Sequence, residues 1–263
     1  MGLGKDTKKR NTYIYYEIQG KRIRDEDRYF RTPNEVANFL QLRRFYKSLD
    51  LVKDVLKSGL LWLDIGCGNG LIIREIASVC RSKNININIV GLDVAESKIK
   101  RFKRCFPFVS FVIGDALALP FRDTSFSMVT CFELMEHFHK KEGLTLLSKI
   151  YRVLKPKGIL IISTPSYYSA REFLARRSGN LGEHKYIYKP KELKLILESN
   201  GFDILKHTSS GFMFPVHLLS WEITGIILKT IPSLLIQLEK VLDKISFLRT
   251  LNWTTFFVAR VKK

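Results

Sequence analysis

The stretch that decides the fold is Leu61-Trp62-Leu63-Asp64-Ile65-Gly66-Cys67-Gly68-Asn69-Gly70. An apolar run ends in an acid, and three glycines follow at alternate positions. This pattern is typical of a buried strand that leads into a ligand-binding turn. Glycine lets the backbone approach a ligand closely because it carries no Cβ. The segment from Leu71 to Ile76 then has helical spacing. We therefore predict a strand, a loop and a helix in this order, with a nucleotide-type site at the loop.

The dinucleotide fingerprint G-x-G-x-x-G is an alternative for this loop and would indicate an oxidoreductase. Counted from Gly66, its third glycine would fall at position 71, which is Leu71, whereas the glycine present is Gly70. The spacing therefore disfavours the dinucleotide interpretation.

Two further acids follow apolar runs, Asp93 after residues 87–92 and Asp115 after residues 109–114. In a doubly wound sheet, Asp64, Asp93 and Asp115 would meet in one crevice at the carboxyl ends of the strands. Three carboxylates suit a cationic or hydroxyl-rich ligand, and S-adenosylmethionine has an amino group, a sulfonium and two ribose hydroxyls. The plainer interpretation is that each Asp is only a strand-end or turn residue.

On these residues the chain resembles the class I S-adenosylmethionine-dependent methyltransferases, from about Leu60 to Arg260. The resemblance implies that Asp64 and the loop from Gly66 to Gly70 hold the methionine end of the cofactor. It also implies that Asp93 holds the ribose hydroxyls and that Asp115 faces the adenine amino group. The expected cofactor-binding residues are Asp64, Gly66, Cys67, Gly68, Gly70, Asp93, Val94, Asp115 and Ala116.

The rest of the chain predicts the remaining strands of a seven-stranded sheet. Strands are expected at residues 126–132, 159–163, 202–208 and 253–261, with helices at 144–154 and from Lys191 to a C-cap at Gly201. The fold class is therefore α/β, a doubly wound, Rossmann-like seven-stranded sheet with an N-terminal helical part and helical insertions.

Residues 1–58 are expected to form a tail and a helical cover, with helical stretches around 35–46 and 51–56, before a methyltransferase domain at 59–263. Two insertions, 165–190 and 211–248, fall outside the sheet pattern, and substrate choice is expected there. The second insertion carries an apolar helical stripe, either plain packing or a lipid-facing surface: Leu234, Leu238, Val241, Leu242, Ile245 and Leu248.

Directly after the fourth strand comes an E-x-x-E-H run, Glu133 to His137. It is expected to place two carboxylates and an imidazole on one helical turn, and His184 could add a fourth ligand. The run resembles two metal-assisted groups, the ubiquinone-biosynthesis O-methyltransferases and the small-RNA 2′-O-methyltransferases. That resemblance implies a divalent cation (Mg²⁺, Mn²⁺ or Zn²⁺) on Glu133, Glu136, His137 and His184. Because an acceptor hydroxyl must lose its proton, either to a general base or with the help of a metal, His137, His184 and Glu133 are the expected catalytic residues. The alternative is a metal-free site in which the Glu caps a helix and the His lines the acceptor pocket.

Charge and cysteine content bear on partners and location. The net charge of +19 is spread along the chain, which favours an anionic membrane surface or RNA as a partner. The alternative is that the charge serves only to keep the protein surface solvated. The four cysteines show no metal-type or disulfide spacing, and the first residues lack a signal-peptide core, so a cytoplasmic location is expected.

The expected function is methylation of an oxygen on a lipophilic or aromatic small molecule, such as a quinone precursor. The enzyme alternative is an RNA 2′-O-methyltransferase, disfavoured because no separate RNA-binding module is evident. An alternative of another class is a non-catalytic adenosylmethionine-binding partner subunit.

Overall fold

The computed structural model describes residues 35–106, 109–169, 182–211 and 252–262, together with 177, 237, 241, 243–245 and 249. Within these residues the helices and strands are α1 Glu35–Lys53, β1 Leu60–Ile65, α2 Leu71–Ser82, β2 Ile87–Asp93, α3 Glu96–Cys105, β3 Ser110–Ile113, β4 Phe126–Phe132, α4 Lys140–Val153, β5 Leu154–Pro165, α5 Pro190–Ser199, β6 Phe202–Ser210 and β7 Thr254–Val261. Two short 3₁₀ turns, Ala116–Ala118 and Met135–His137, lie between them.

The seven strands form one sheet in the order β3-β2-β1-β4-β5-β7-β6. Strands β1 to β5 are parallel, and β7 runs antiparallel to both β5 and β6. Because β1 lies between β2 and β4, the chain winds outward in both directions from this point. This confirms the predicted doubly wound α/β fold, and it opens a crevice at the carboxyl ends of β1 and β4.

Alternate residues of the buried strands serve two different cores. Trp62 and Phe256 face one core, which includes α1 and α2, whereas Leu63 and Phe257 face the other, which includes α4 and α5. All four side chains are fully buried. Since successive side chains of a strand point to opposite faces, each strand joins the two layers of helices.

The structure corrects three of the predicted boundaries. The two helical stretches expected at 35–46 and 51–56 are one helix, α1, because Leu49, Leu51 and Val52 continue its buried face. The expected helix 144–154 ends one residue earlier, at Val153. Strand β5 begins at Leu154, earlier than the predicted 159–163, because Leu154 already pairs with Phe126 before the turn at Lys157 (φ 60°).

Most of the apolar stripe predicted in the second insertion lies outside the described residues, namely Leu234, Leu238, Leu242 and Leu248. The two members that are described, Val241 and Ile245, are exposed. Among the described helices, none combines the length and the apolar character that crossing a bilayer requires.

Candidate active site

The glycine loop has the backbone conformation that its sequence predicts. Gly66, Gly68 and Gly70 have φ values of 72°, 53° and 64°, in the left-handed region that favours glycine. A Cβ at Gly66 would lie 3.0 Å from Leu134 Cδ2, whereas one at Gly68 would meet nothing within 4 Å. Gly68 therefore presents bare backbone on an open side, and Gly70 begins α2.

Asp93, at the end of β2, is bonded to this loop. One carboxylate oxygen accepts the backbone N–H of Gly68 at 2.8 Å, and the other accepts that of Ala95 at 2.8 Å. Each oxygen keeps a second lone pair, so the carboxylate can still accept hydroxyl hydrogens from a ligand. Asp93 thus both shapes the loop and faces the crevice.

Asp64 is the second-last residue of β1 and is only 4% exposed. Its Oδ1 accepts the Thr130 hydroxyl at 2.6 Å, and Thr130 Oγ1 in turn accepts Trp62 Nε1 at 2.7 Å. Burial raises the pKa of Asp64 to about 7, with the Thr130 hydrogen bond opposing the rise and the nearby charge of Asp93 adding to it. A buried acid with such a pKa is suited to meet a cationic group.

Among the other expected cofactor residues, Asp115 and Cys67 have contacts within the protein, whereas Val94 is exposed. Asp115 caps the Ala116–Ala118 turn by accepting the Leu117 N–H at 2.8 Å, which is the turn role considered above. Cys67 turns its sulfur inward, 3.0 Å from where a Cβ on Gly91 would lie, and burial is the main reason why the pKa of its thiol is raised. Val94, by contrast, is 76% exposed at the end of the crevice.

Ile113, the last residue of β3, is a candidate site residue that the sequence pattern did not indicate. It pairs in register with Asp93 and is 49% exposed, beside the exposed Val94. Two exposed aliphatic side chains next to the Asp93 carboxylate form a surface suited to a flat aromatic ring. The position of Ile113 directly before Gly114-Asp115 is the signal that could have identified it. We refer to Asp64, the 66–70 loop, Asp93, Val94 and Ile113 as the glycine-loop edge.

A second group of side chains lies past the end of β4, and we refer to it as the histidine edge: Arg44, Glu133, Glu136, His137, Ser163 and His184. The rings of His137 and His184 have centroids 5.4 Å apart. Glu136, His137 and His184 can each direct one ligand atom so that these atoms lie within 4.8 Å of one another. The expected juxtaposition of these three residues is therefore present.

The segment that carries His184 is held against the 3₁₀ turn by its backbone. The Glu136 carbonyl accepts the N–H groups of Lys185 and Tyr186, at 2.8 and 3.2 Å. The Glu183 carbonyl lies 3.3 Å from Nδ1 of His137. These contacts join parts of the chain almost fifty residues apart, and they fix His184 beside His137.

Glu133 is placed differently from the other three residues of the predicted metal set. It precedes the 3₁₀ turn rather than sharing it, and its φ of 48° is unusual for a residue with a side chain. Its carboxylate accepts Arg44 Nη1 at 2.8 Å and the Ser163 hydroxyl at 2.7 Å. The structure therefore brings together three of the four predicted ligands, with Glu133 turned toward α1 and β5.

Comparisons with known proteins bear on the family and the fold. A family model described as a methyltransferase domain matches residues 63–162, which include both edges except for Arg44, Ser163 and His184. A probable S-adenosylmethionine-dependent methyltransferase from Mycolicibacterium smegmatis is 30% identical over 143 residues, 54% of this chain and 51% of that protein. An uncharacterized protein from Methanocaldococcus jannaschii is 30% identical over 72% of this chain and 78% of its own length.

A third relative is named for its substrate. The 2-methyl-6-phytyl-1,4-hydroquinone methyltransferase of Synechocystis is 33% identical over 113 residues, 42% of this chain and 33% of that protein. The chain thus spans about half of the first of these relatives and a third of this one.

Solved structures share the fold at lower identity. A SAM-dependent methyltransferase from Archaeoglobus fulgidus matches with a TM-score of 0.57 and 23% identity, over 89% of this chain and 97% of that one. The [4+2]-cyclase SpnF matches equally well, with a TM-score of 0.57 and 21% identity over 95% and 92% of the two chains. Since proteins named for different reactions share this fold, the fold alone does not fix the reaction.

The assignment to a family does not depend on the fold alone, because the matched domain contains the strand, the glycine loop and the acidic strand ends described above. The chain belongs to the class I S-adenosylmethionine-dependent methyltransferases, within the methyltransferase type 11 group.

Proposed function

We propose that this protein transfers the methyl group of S-adenosylmethionine to a hydroxyl oxygen of a lipophilic aromatic molecule, such as a quinone precursor. The observation that carries the proposal is the imidazole pair, His137 and His184, whose ring centroids are 5.4 Å apart past the end of β4, the strand that pairs with β1. A relative named for a phytyl hydroquinone supports the acceptor class, because that molecule combines an aromatic ring, hydroxyls and a long hydrocarbon chain.

On this proposal the glycine-loop edge holds the cofactor. The Asp64 carboxylate would meet the cationic amino group, the open backbone at Gly68 would lie along the methionine part, and Asp93 would accept the ribose hydroxyls. Val94 and Ile113 would contact the adenine ring, with Asp115 and Ala116 at its rim. The buried floor of the crevice would exclude water from the sulfonium.

Methyl transfer from a sulfonium is a direct displacement, in which the acceptor oxygen forms a bond to carbon while the carbon–sulfur bond breaks. The thioether leaves with the bonding electron pair, and the acceptor hydroxyl gives up its proton. On this proposal His137 or His184 would receive that proton as a general base. Alignment of oxygen, methyl and sulfur then supplies most of the rate acceleration.

As an alternative to proton transfer to an imidazole, we propose that a divalent cation occupies the histidine edge. Glu136, His137 and His184 offer one carboxylate and two imidazoles, a donor set that suits Mn²⁺ or Zn²⁺ better than Mg²⁺. A cation held there would lower the pKa of the acceptor hydroxyl. Glu136 is only 1% exposed, and a cation at this site would add to the interactions that stabilise its buried carboxylate.

The proposed reaction is tested by incubating the protein with labelled S-adenosylmethionine and a panel of phenols and hydroquinones with and without hydrocarbon chains. We expect label in an O-methyl product and a lower KM for the lipophilic members. Label on a ring carbon would overturn the oxygen assignment alone. Cofactor binding without transfer to any acceptor would favour the non-catalytic partner subunit.

The cation is tested separately by chelation and by His184→Ala. If a cation is bound, activity should fall after chelator treatment, return with Mn²⁺ or Zn²⁺, and the variant should lose metal content. Full activity after exhaustive chelation would exclude a metal requirement. A metal-free pocket histidine would instead change only the KM of the acceptor.

We propose an anionic membrane surface as the source of a lipophilic acceptor, on the basis of the net charge of +19. The protein should then float with anionic but not zwitterionic liposomes, and salt should weaken the binding. The same charge favours the second candidate, an RNA 2′-O-methyltransferase. In that case label should enter RNA, and RNA affinity should fall log-linearly with salt because phosphate contacts release counterions.

A further inference from the structure

Glu133 occupies a strained backbone position that the local sequence does not require. Its φ is 48°, where residues other than glycine are uncommon, and strain of this kind persists only when surrounding contacts impose it. The backbone N–H of Glu133 donates to the Ser163 carbonyl at 3.1 Å, which continues the pairing of β4 with β5. The strained conformation therefore follows directly from the end of β4.

The contacts of its side chain show what this conformation achieves. Oε1 accepts the hydroxyl of the fully buried Ser163 at 2.7 Å, and Oε2 accepts Arg44 Nη1 at 2.8 Å. The Arg44 and Glu133 side chains are only 17% and 14% exposed, so water screens this ion pair weakly. The Glu133 carboxylate is thereby committed to two protein partners on two other elements.

Arg44 comes from α1, 89 residues before Glu133 in the chain. Helix α1 packs on α2 and β6 through buried residues such as Leu40 and Phe45. Apolar packing fixes the helix against the sheet but is tolerant of small shifts along its axis, whereas a charged hydrogen bond specifies one position. The Arg44–Glu133–Ser163 contacts thus connect α1 to the carboxyl ends of β4 and β5.

We propose that Glu133 is a positioning residue, and that Arg44, Glu133 and Ser163 together hold α1 in place as one wall of the acceptor site. The kinetic part of this proposal rests on the proposed methyl transfer. It assigns Glu133 neither to proton transfer nor to the cation, and it leaves Glu136, His137 and His184 as the residues that face the reaction.

Two substitutions separate this role from a chemical one. Arg44→Met removes the partner from α1, and we expect kcat/KM for the acceptor to fall about tenfold, as for the loss of a charged hydrogen bond, with cofactor affinity within about twofold of wild type. The lower kcat/KM should result mainly from a higher KM for the acceptor, since the wall formed by α1 contacts the acceptor. Glu133→Gln keeps an oxygen that can accept from Arg44 or Ser163, so its effect should be smaller than that of Arg44→Met. Arg44→Lys should recover part of the activity.

The opposite order of effects would overturn the proposal. If Glu133 acted as a base or a metal ligand, Glu133→Gln would abolish kcat or remove metal while Arg44→Met stayed close to wild type. Lys53→Met is the matched control, because Lys53 is also a cation of α1 and its Nζ is 3.6 Å from Asp50 Oδ1 of the same helix. That control should leave the acceptor KM unchanged.

A second readout does not depend on catalysis. Hydrogen exchange of the backbone amides of residues 35–53 should be faster in Arg44→Met than in wild type. In Arg44→Lys the exchange should be slower than in Arg44→Met and closer to the wild-type rate. Unchanged exchange in Arg44→Met would overturn the proposal even if the enzyme were active. If wild type methylates no acceptor but this exchange pattern is found, the proposed function fails while the placement of α1 by Glu133 stands.

Discussion

The glycine-loop edge and the histidine edge are built at different ranges along the chain. In the glycine-loop edge, Gly68 and Asp93 are bonded across 25 residues, and one strand–loop–helix unit supplies most of the groups. In the histidine edge, Arg44 reaches Glu133 across 89 residues, and His137 contacts Glu183 across 46. The glycine-loop edge is therefore built mainly from local contacts, whereas the histidine edge depends on packing between distant parts of the chain. Substitutions should for this reason affect the two edges separately.

The largest expected effect is on the glycine-loop edge. Asp64→Asn should weaken S-adenosylmethionine binding by about 3 kcal/mol, because a buried carboxylate would no longer meet the cationic amino group. The apoprotein should be at least as stable at pH 8, since burial disfavours the ionised carboxylate and raises its pKa to about 7. Calorimetric titration and thermal unfolding measure the two quantities. Asp123→Asn, on a side chain 69% exposed, is the control.

A somewhat smaller effect is expected from Asp93→Ala, at about 2 kcal/mol of cofactor affinity. The substitution removes the acceptor for the Gly68 N–H as well as the proposed ribose partner. It should leave hydrogen exchange of α1 unchanged, because that helix belongs to the other edge. Equal affinity of wild type and variant in calorimetry would exclude Asp93 from the cofactor site.

Near the histidine edge, Gly143→Ala should lower the free energy of unfolding by about 1 to 2 kcal/mol. The added Cβ would lie 2.2 Å from the Tyr188 hydroxyl oxygen, in the segment that follows His184. Adding Tyr188→Phe should recover most of the loss, because it removes that oxygen, which is buried without a hydrogen-bond partner among the described residues. Denaturant unfolding measures this, and additive effects of the two changes would contradict it.

The smallest expected effect is the release of a proton when the cofactor binds. Asp64 has a folded-state pKa of about 7 against an ordinary 3.8, so its contribution to stability is complete below pH 3.8 and is lost as the pH rises through about 7. A cationic ligand requires the ionised form, so binding at pH 6 should release up to about one proton and tighten toward pH 8. Titration in buffers of different ionisation enthalpy measures the release. Asp64→Asn should abolish it, and release that persists in that variant would point to another group.

The sequence alone determined the fold and most of the glycine-loop edge. Glycine spacing, an acid after each apolar run and the period of each segment are local properties, and they led correctly to a doubly wound seven-stranded sheet. The positions of Asp64, Asp93 and the 66–70 loop follow from that sheet, because parallel strands end at one edge. Ile113 was missed since its exposure depends on its register with Asp93 rather than on its own residue type.

The tertiary structure decided what the E-x-x-E-H run does. Its spacing predicts two carboxylates and an imidazole on one turn, and the two carboxylates are in fact separated, because Glu133 continues the β4–β5 pairing at a φ of 48° while Glu136 lies in the 3₁₀ turn. No local pattern indicates that Arg44 would meet Glu133, or that residues 183–186 would dock on Glu136. Such contacts depend on how α1 and the segment before α5 pack on the sheet. The periodicity of apolar residues indicates which face of a helix or strand is buried, but it does not indicate which distant element packs on that face.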